Sequence, residues 1–339
     1  MVEYKWVALS NTTLGVTMAS LDSNIVLIAL PTIAKSLPGT SLFELLWILL
    51  GYQLVTASVL VNFGRLADIF GRVKLYNLGF VVFTLGSALC AFSQNAVELI
   101  VFRVVQALGS AFLFSNSAAI ITDAFPRGER GKALGTNQVA IVVGSVLGLV
   151  LGGFLTTAAG WRSIFWINVP IGIFATVWSH NKLKELGVIE KKQKIDVLGN
   201  ITFVAGLASL LTGITLYSIG SIEIAQFLSI ILLGAIMLGL FALVETKTKN
   251  PMFRLGLFKI PAFALGNLAI FLNSLSRGAV TLVLVFYLQG PTMKLDPFSA
   301  GVFLIPISAS LAFFGPISGW FSDQYGPRYF ALLGLIVSS

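Results

Sequence analysis

The feature that most constrains this chain is the recurrence of apolar runs of about twenty residues. They fall at 6–34, 41–62, 76–93, 97–122, 135–158, 163–180, 197–218, 224–244, 260–288 and 299–321, and another begins at Tyr329. That length crosses a bilayer as a helix. Charged residues make up 11% of the chain, less than half of the roughly one quarter usual in a soluble globular protein, so many apolar side chains cannot face water. Lipid offers no partner to an unpaired backbone group, which leaves helix as the assignment for every run. A membrane barrel would alternate apolar and polar residues over about ten positions, and no segment does so. The sequence therefore predicts an all-α polytopic membrane protein.

The connections between runs carry an uneven charge. One alternate set holds Arg65, Arg72 and Lys74; Arg127, Arg130 and Lys132; Lys182, Lys184, Lys191, Lys192 and Lys194; Lys247, Lys249, Arg254 and Lys259; and Arg328. The other set holds only Lys35, Arg162 and Lys294. Lysine and arginine accumulate on the cytoplasmic side of a membrane. This places the N-terminus in the cytoplasm and the chain in the plasma membrane, and it accounts for the net charge of +8 as topology. No nucleic-acid partner is expected; the 182–194 loop can touch anionic headgroups instead.

Cys90 is the single cysteine and His180 the single histidine, so no intrachain disulfide and no metal site are expected. The first apolar run continues past Asp22 to Ile33 with no small-residue cleavage pattern, and so reads as a span and not a signal peptide. No P-loop is present, so ATP is not expected as the energy source, and no cofactor is implied.

One connection is unusually rich. In "NFGRLADIFGRVKLYNLGF", residues 62–80, Gly64, Asp68, Gly71 and Arg72 are set between two apolar runs. The pattern returns as Gly319, Asp323, Gly326 and Arg328 in "GWFSDQYGPRYF", with one extra residue before the arginine. Two matching turns point to duplicated halves, the usual plan of secondary transporters. "GRLADIFGRVKL" resembles the first cytoplasmic signature of the major facilitator superfamily. "LDSNIVLIALP" at 21–31, "RVVQALGSAF" at 103–112 and "GWRSIFWINVPIG" at 160–172 are similar to motifs of its fourteen-span drug:proton antiporter family. The plain form of the superfamily has six spans between the signature turns, whereas eight lie between them here. The resemblance thus implies a major facilitator fold with two extra spans between the halves and an incomplete second half. The expected organisation is a six-helix bundle at 1–180, a basic loop at 181–196, two linker spans at 197–244 and the start of a second bundle at 245–339. A monomer is expected.

Arg103 lies in the outer half of the fourth run, and Gln106, Ser110 and Ser117 follow on its face of the helix. An ionisable residue within a span faces a cavity or a partner, or snorkels to the headgroups; the inward continuation of the stripe favours an aqueous cavity. Asp22 sits in the middle of the first run. The resemblance places both near a central cavity, with Asp22, Arg103 and Gln106 as the proton-coupling or substrate residues, although Asn24 and Leu27 replace the threonine and asparagine usual in the family. Gly144, Gly148, Gly152 and Gly153 have the spacing that lets helices approach closely. They are similar to the superfamily's antiporter motif, with Leu149 where proline is usual. In the family, the turn at Asp68 latches the two halves on the cytoplasmic side, with Arg72 holding the aspartate and Gly64 and Gly71 allowing close contact. Asn116 and Arg277 are further candidates for a cavity lining. Arg277 can equally bind an anion or pair with an acid, and Asn273 and Ser276 lie beside it.

The function implied is proton-coupled efflux of small, partly apolar compounds, with Phe112, Phe114, Trp166 and Phe286 each as candidate lining or, equally, as a lipid-facing residue. A carrier for one metabolite is the alternative. A membrane enzyme would need clustered histidines, cysteines or acids, and a receptor would carry a soluble output domain; neither is present in the sequence. The charge pattern yields a direct test of topology. In a Cys90→Ala background, cysteines at Lys35, Arg162 and Lys294 are expected to react with an impermeant reagent added outside. Cysteines at Lys132, Lys192 and Lys249 are expected to stay unlabelled, and the opposite pattern would reverse the orientation.

Overall fold

The structure, a computed structural model, describes residues 3–37, 39–187, 196–248, 251, 253, 255–325 and 334. Its long helices are α1 (Tyr4–Ser36), α2 (Leu42–Phe70), α3 (Arg72–Phe92), α4 (Ala96–Ala124) and α5 (Arg130–Ala159). The short α6 (Ser163–Trp166) and α7 (Asn168–Lys182) follow, then α8 (Val197–Ser218), α9 (Ile224–Lys247), α10 (Pro261–Gln289) and α11 (Pro297–Tyr325). Eight of the helices among the described residues are long and apolar enough to cross a membrane. The run beginning at Tyr329 lies outside the described residues, apart from residue 334.

Several helices extend past their apolar runs. At 29 residues, α2 reaches Phe70 and spans about 44 Å, well beyond a hydrocarbon core of about 30 Å. The connection to α3 is consequently Gly71 alone, at φ 104°, a conformation that glycine adopts without steric cost. The opposite ends of α2 and α4 are capped by side chains. Ser41 and Glu44 exchange bonds of 3.2 and 2.7 Å with each other's backbone N–H groups, and Asn95 accepts from the N–H of Glu98 at 2.9 Å.

The sixth span is not continuous, as the apolar run 163–180 suggests, but breaks at Ile167 into α6 and α7. Pro170 supplies the reason: it cannot donate to the Trp166 carbonyl and its ring would collide with it. In the first turn of a new helix that missing donor costs little.

Helices α1 to α7 form one bundle. α1 is nearly enclosed, with α5 along one side, α4 and α7 on others, and Tyr76 and Phe80 of α3 against Gly15. Cores lie at both ends. Ile25, Ile33, Ile48, Leu99 and Phe165 fill one, and Ala8, Met18, Tyr76, Phe80 and Leu113 the other. α8 and α9 form a separate hairpin, mutually packed through Gly206 against Leu238 and Gly234 against Leu210. It leans on α2, where the Asn200 amide donates to the Ser58 carbonyl at 2.7 Å.

α11 packs along α5, and α10 and α11 touch α1 near the end away from the basic connections. Val285, Leu288, Ala300 and Leu304 pack on Ile28 and Leu149, and Gln289 donates to the Ile28 carbonyl at 2.9 Å. Toward the basic end, residues 265–280 of α10 are all exposed. Asp296 begins α11, and the hydroxyl and N–H of Ser299 hold its carboxyl below the usual carboxylate range.

The glycines of α5 decide how closely these pieces approach. A Cβ at Gly144 would come 2.6 Å from the Thr17 carbonyl oxygen, one at Gly148 would overlap that of Leu21, and one at Gly152 would lie 2.6 Å from Ile28. Gly153 turns the other way, and a Cβ there would strike Pro297 and Phe298 of α11. Gly64 has nothing within 4 Å, so the sequence-based expectation of a close contact there does not hold; it lies inside α2, where the turn does not reach. Gly148→Val is expected to destabilise the bundle by at least about 1–3 kcal/mol through overpacking against α1, read as a lower melting temperature of purified protein. Gly135→Ala, where nothing lies within 4 Å, is expected to leave that temperature unchanged.

Candidate functional site

Asp22 and Arg103 meet inside the first bundle. Asp22 is wholly buried on α1, and Arg103 on α4 is 1% exposed. Nη1 of Arg103 donates to Oδ2 of Asp22 and, at 2.8 Å, to Oε1 of Gln106. The Gln106 amide turns its other end on the acid, donating from Nε2 to Asp22 Oδ1 at 2.8 Å. Asn168 of α7 donates to the same Oδ1, also at 2.8 Å. Ser87 of α3 accepts from Gln106 at 3.2 Å and from Asn168 at 3.1 Å, and passes its own proton to the Phe165 carbonyl at 3.0 Å. The ring of Tyr52 on α2 covers the guanidinium at 4.0 Å, a cation–π contact. Four helices thus supply the acid, the base and their amide and hydroxyl partners.

The energetics follow from burial. Each charge loses its water, a penalty of several kcal/mol per ion that only mutual attraction and good hydrogen bonding offset. Asp22 accepts from three N–H donors, one of them cationic. Oδ1 of Asn168, beside the pair, has no hydrogen-bond partner.

The polar stripe on α4 does not line an open cavity as its sequence suggests. Arg103, Gln106, Ser110 and Ser117 are all 1% exposed or less. The charge of Arg103 is satisfied by Asp22 and Gln106, so no water is needed beside it. Asn116 is likewise buried, donating to the Phe112 carbonyl of its own helix at 2.8 Å; it is held by α4 and lines no cavity found among the described residues. Arg277 is exposed on α10, with Asn273 and Ser276. The four aromatic candidates do not converge. Phe112 stacks on Phe63, Phe114 packs into the core near the basic end, Trp166 is a surface residue against Phe92, and Phe286 packs at the opposite end.

A second cluster sits at the basic end. Arg72 donates to Asp68 from Nε and Nη2 at 2.9 and 2.8 Å, and from Nη1 to both oxygens of Asp123 at 2.8 Å. One guanidinium therefore ties the ends of α2, α3 and α4. Glu185, just past α7, accepts from the N–H of Val73 at 2.9 Å, where a helix N-terminus favours negative charge. A Cβ at Gly71 would come 2.8 Å from that carboxylate. For the repeat of this turn, Gly319 and Asp323 fall on α11, of which only the helical backbone is described there. Gly326 and Arg328 lie outside the described residues.

Sequence reasoning missed Asn168, Ser87, Tyr52, Asp123 and Glu185. Asn168 had a signal: a polar residue two places before Pro170 inside an apolar run, where a helix break brings it onto the acid. Asp123 and Glu185 stand far from Arg72 in sequence, and nothing local marks them as its neighbours.

The fold and this site define a polytopic helical membrane protein with an ion pair sealed into its first bundle. The chain belongs to the Major Facilitator Superfamily, which it matches over residues 12–339, a family of transporters and not of enzymes. It is 34% identical over 327 residues to the riboflavin transporter RibZ of Clostridioides difficile, covering 96% of this chain and 70% of that protein. It is 30% identical over 327 residues to multidrug resistance protein 3 of Bacillus subtilis, covering 95% and 62%. With the tetracenomycin C resistance and export protein of Streptomyces glaucescens the identity is 28% over 337 residues, covering 98% and 62%. The chain thus spans 62–70% of the length of these three relatives. Among solved structures it resembles a bacterial homologue of the human lysosomal transporter Spinster, with a TM-score of 0.62 at 20% identity over 97% of this chain and 64% of that one. A peptide transporter in complex with sulfate gives 0.66 at 16% identity over 95% and 69%. These two likenesses establish the fold.

Removing one partner from a buried ion pair strands the other, at a cost of about 3–5 kcal/mol. Arg103→Ala is expected to lose stability on that scale in thermal unfolding. Arg103→Gln combined with Asp22→Asn is expected to recover a large part of it, because no uncompensated charge remains. A double variant as unstable as Arg103→Ala would show that packing, and not charge, dominates the site.

Proposed function

We propose that the chain is the greater part of a proton-coupled secondary exporter of small amphipathic compounds, working by alternating access. The observation that carries this reading is the Asp22 site. Asp22 accepts from Arg103 at Oδ2 and from Gln106 and Asn168 at Oδ1, so a proton bound there would cancel the charge that holds Arg103 in place. Protonation of Asp22 is thereby tied to the relative position of α1, α4 and α7. That tie is what coupling requires: the charge state of one group changes together with helix arrangement.

The rest of the reading is arranged around that coupling. The N-terminus is cytoplasmic, so the end at which α10 and α11 stand away from α1 is the inner one. The closed outer end and open inner end then form one of the two arrangements that alternating access needs. The Asp68–Arg72–Asp123 cluster acts as a latch on the cytoplasmic ends of α2, α3 and α4, and interacts with the second half when that side closes. α8 and α9, packed chiefly on each other and leaning on α2, are the two spans added between the halves in the fourteen-span antiporters. The protein resides in the plasma membrane as a monomer. Relatives named for multidrug resistance and for export of tetracenomycin C support a drug-like substrate. The 34% identity to a riboflavin transporter favours, as a second reading, a carrier for a single metabolite of comparable size.

The test is uphill transport in proteoliposomes under an imposed pH gradient, using full-length protein and a panel of cationic dyes and riboflavin. Asp22→Asn is expected to abolish accumulation while leaving downhill exchange measurable. Arg103→Lys keeps the charge but loses the planar fork, and is expected to be milder than Arg103→Ala. Wild-type accumulation by Asp22→Asn would remove this acid from the mechanism.

A further inference from the structure

A cavity of about 560 Å3 opens near the basic end between α1, α5 and α7, walled by Trp6, Ser10, Thr13, Thr136 and Trp178 among others. Its size is that of a small-molecule site, and it stands apart from Asp22. The hydroxyls in its wall are spent on their own helices: Ser10 donates to the Trp6 carbonyl at 2.8 Å, Thr13 to that of Leu9 at 2.8 Å and Thr136 to that of Lys132 at 3.0 Å. What remains toward the cavity is methyl, methylene and indole surface. The α5 wall continues away from the basic end as Val139 and Val143, which share the helix face of Thr136, and the α7 wall as Phe174, one turn from Trp178. All three are exposed. The groove therefore merges with a surface whose chemistry suits hydrocarbon.

Its other end is charged. Lys132 precedes Thr136 by one turn, and Lys182 follows Trp178 by one turn, so each lysine stands over one wall at the basic end. Both are exposed, and neither forms an ion pair among the described residues. Lys5, on the floor beside Trp6, is neutralised by Glu3 and Glu129, and His180 faces Asn77. Two free cations thus sit above an apolar groove flanked by two tryptophans, the residue type that settles at the membrane–water boundary.

We propose that this groove binds one anionic phospholipid, with an acyl chain between α5 and α7 and the phosphate between Lys132 and Lys182. The occupant must be amphipathic because the apolar wall and the cationic rim are continuous. It is anionic because Lys132 and Lys182 at the rim form no ion pair among the described residues. The bilayer supplies such a molecule at the depth where the groove opens.

The test is native mass spectrometry of the whole detergent-purified chain after incubation with equal amounts of phosphatidylglycerol and phosphatidylcholine. One tightly retained lipid is expected, with phosphatidylglycerol favoured about five- to thirtyfold, the scale that two lysines at an anionic surface provide. Lys132→Gln with Lys182→Gln, both on the surface, is expected to equalise the two lipids while one is still retained. Thr136→Phe, which fills the groove from an exposed helix face, is expected to abolish retention of either. Circular dichroism and gel filtration check the fold of each variant; should Thr136→Phe fail them, Ser10→Phe fills the groove from its floor. Equal retention of both lipids by the wild type would overturn the proposal. So would an undiminished preference in the double lysine variant, or retention unaffected in a folded groove-filled one.

Discussion

An arginine and an aspartate enclosed in the interior of a membrane bundle constrain everything around them. The pair is tolerable only if every lone pair and proton it exposes finds a partner without water, and those partners must arrive from separate helices. Gln106 comes from the same helix as Arg103, but Asn168 comes from α7, Ser87 from α3 and Tyr52 from α2. The ion pair therefore fixes relative positions across most of the bundle.

Close packing makes that enclosure feasible. α5 lies flush on one side of α1 along Gly144, Gly148 and Gly152, while α4 and α7 cover the side that carries Asp22. Where the small-residue row turns at Gly153, the same helix receives Pro297 and Phe298 of α11. α5 is thus both a wall of the first bundle and the surface on which α11 is seated. At the opposite end the helices are tied electrostatically, by Arg72 between Asp68 and Asp123 and by Glu185 at the start of α3. Steric fit governs the α1–α5 contact, and partly exposed charge governs the end at Arg72. The second kind of contact is weaker in water and simpler to break.

Several local features were legible in the residues. The apolar runs gave the spans, and the glycine spacing on α5 gave a close helix contact. The pairing of Arg72 with Asp68 follows from four-residue spacing across a one-residue turn. The stripe from Arg103 to Ser117 is polar along one helix face, but its burial against Asp22 and Asn137 of other helices is a property of the assembled bundle.

The sequence by itself determined the class of protein, the approximate positions of its apolar helices and the family. Each of these depends on local composition: lipid imposes helix on any long apolar run, and a motif is a spacing along one chain. Tertiary structure alone decided that Asp22 and Arg103 touch, that a break before Pro170 turns Asn168 onto the acid, that Asp123 and Glu185 join the turn between α2 and α3, and that Gly153 receives α11. These partners lie 51 to 146 residues apart where they are hydrogen-bonded. The membrane favours helices without specifying their neighbours, so choosing neighbours was left to steric fit between helices and to the need to neutralise a buried charge.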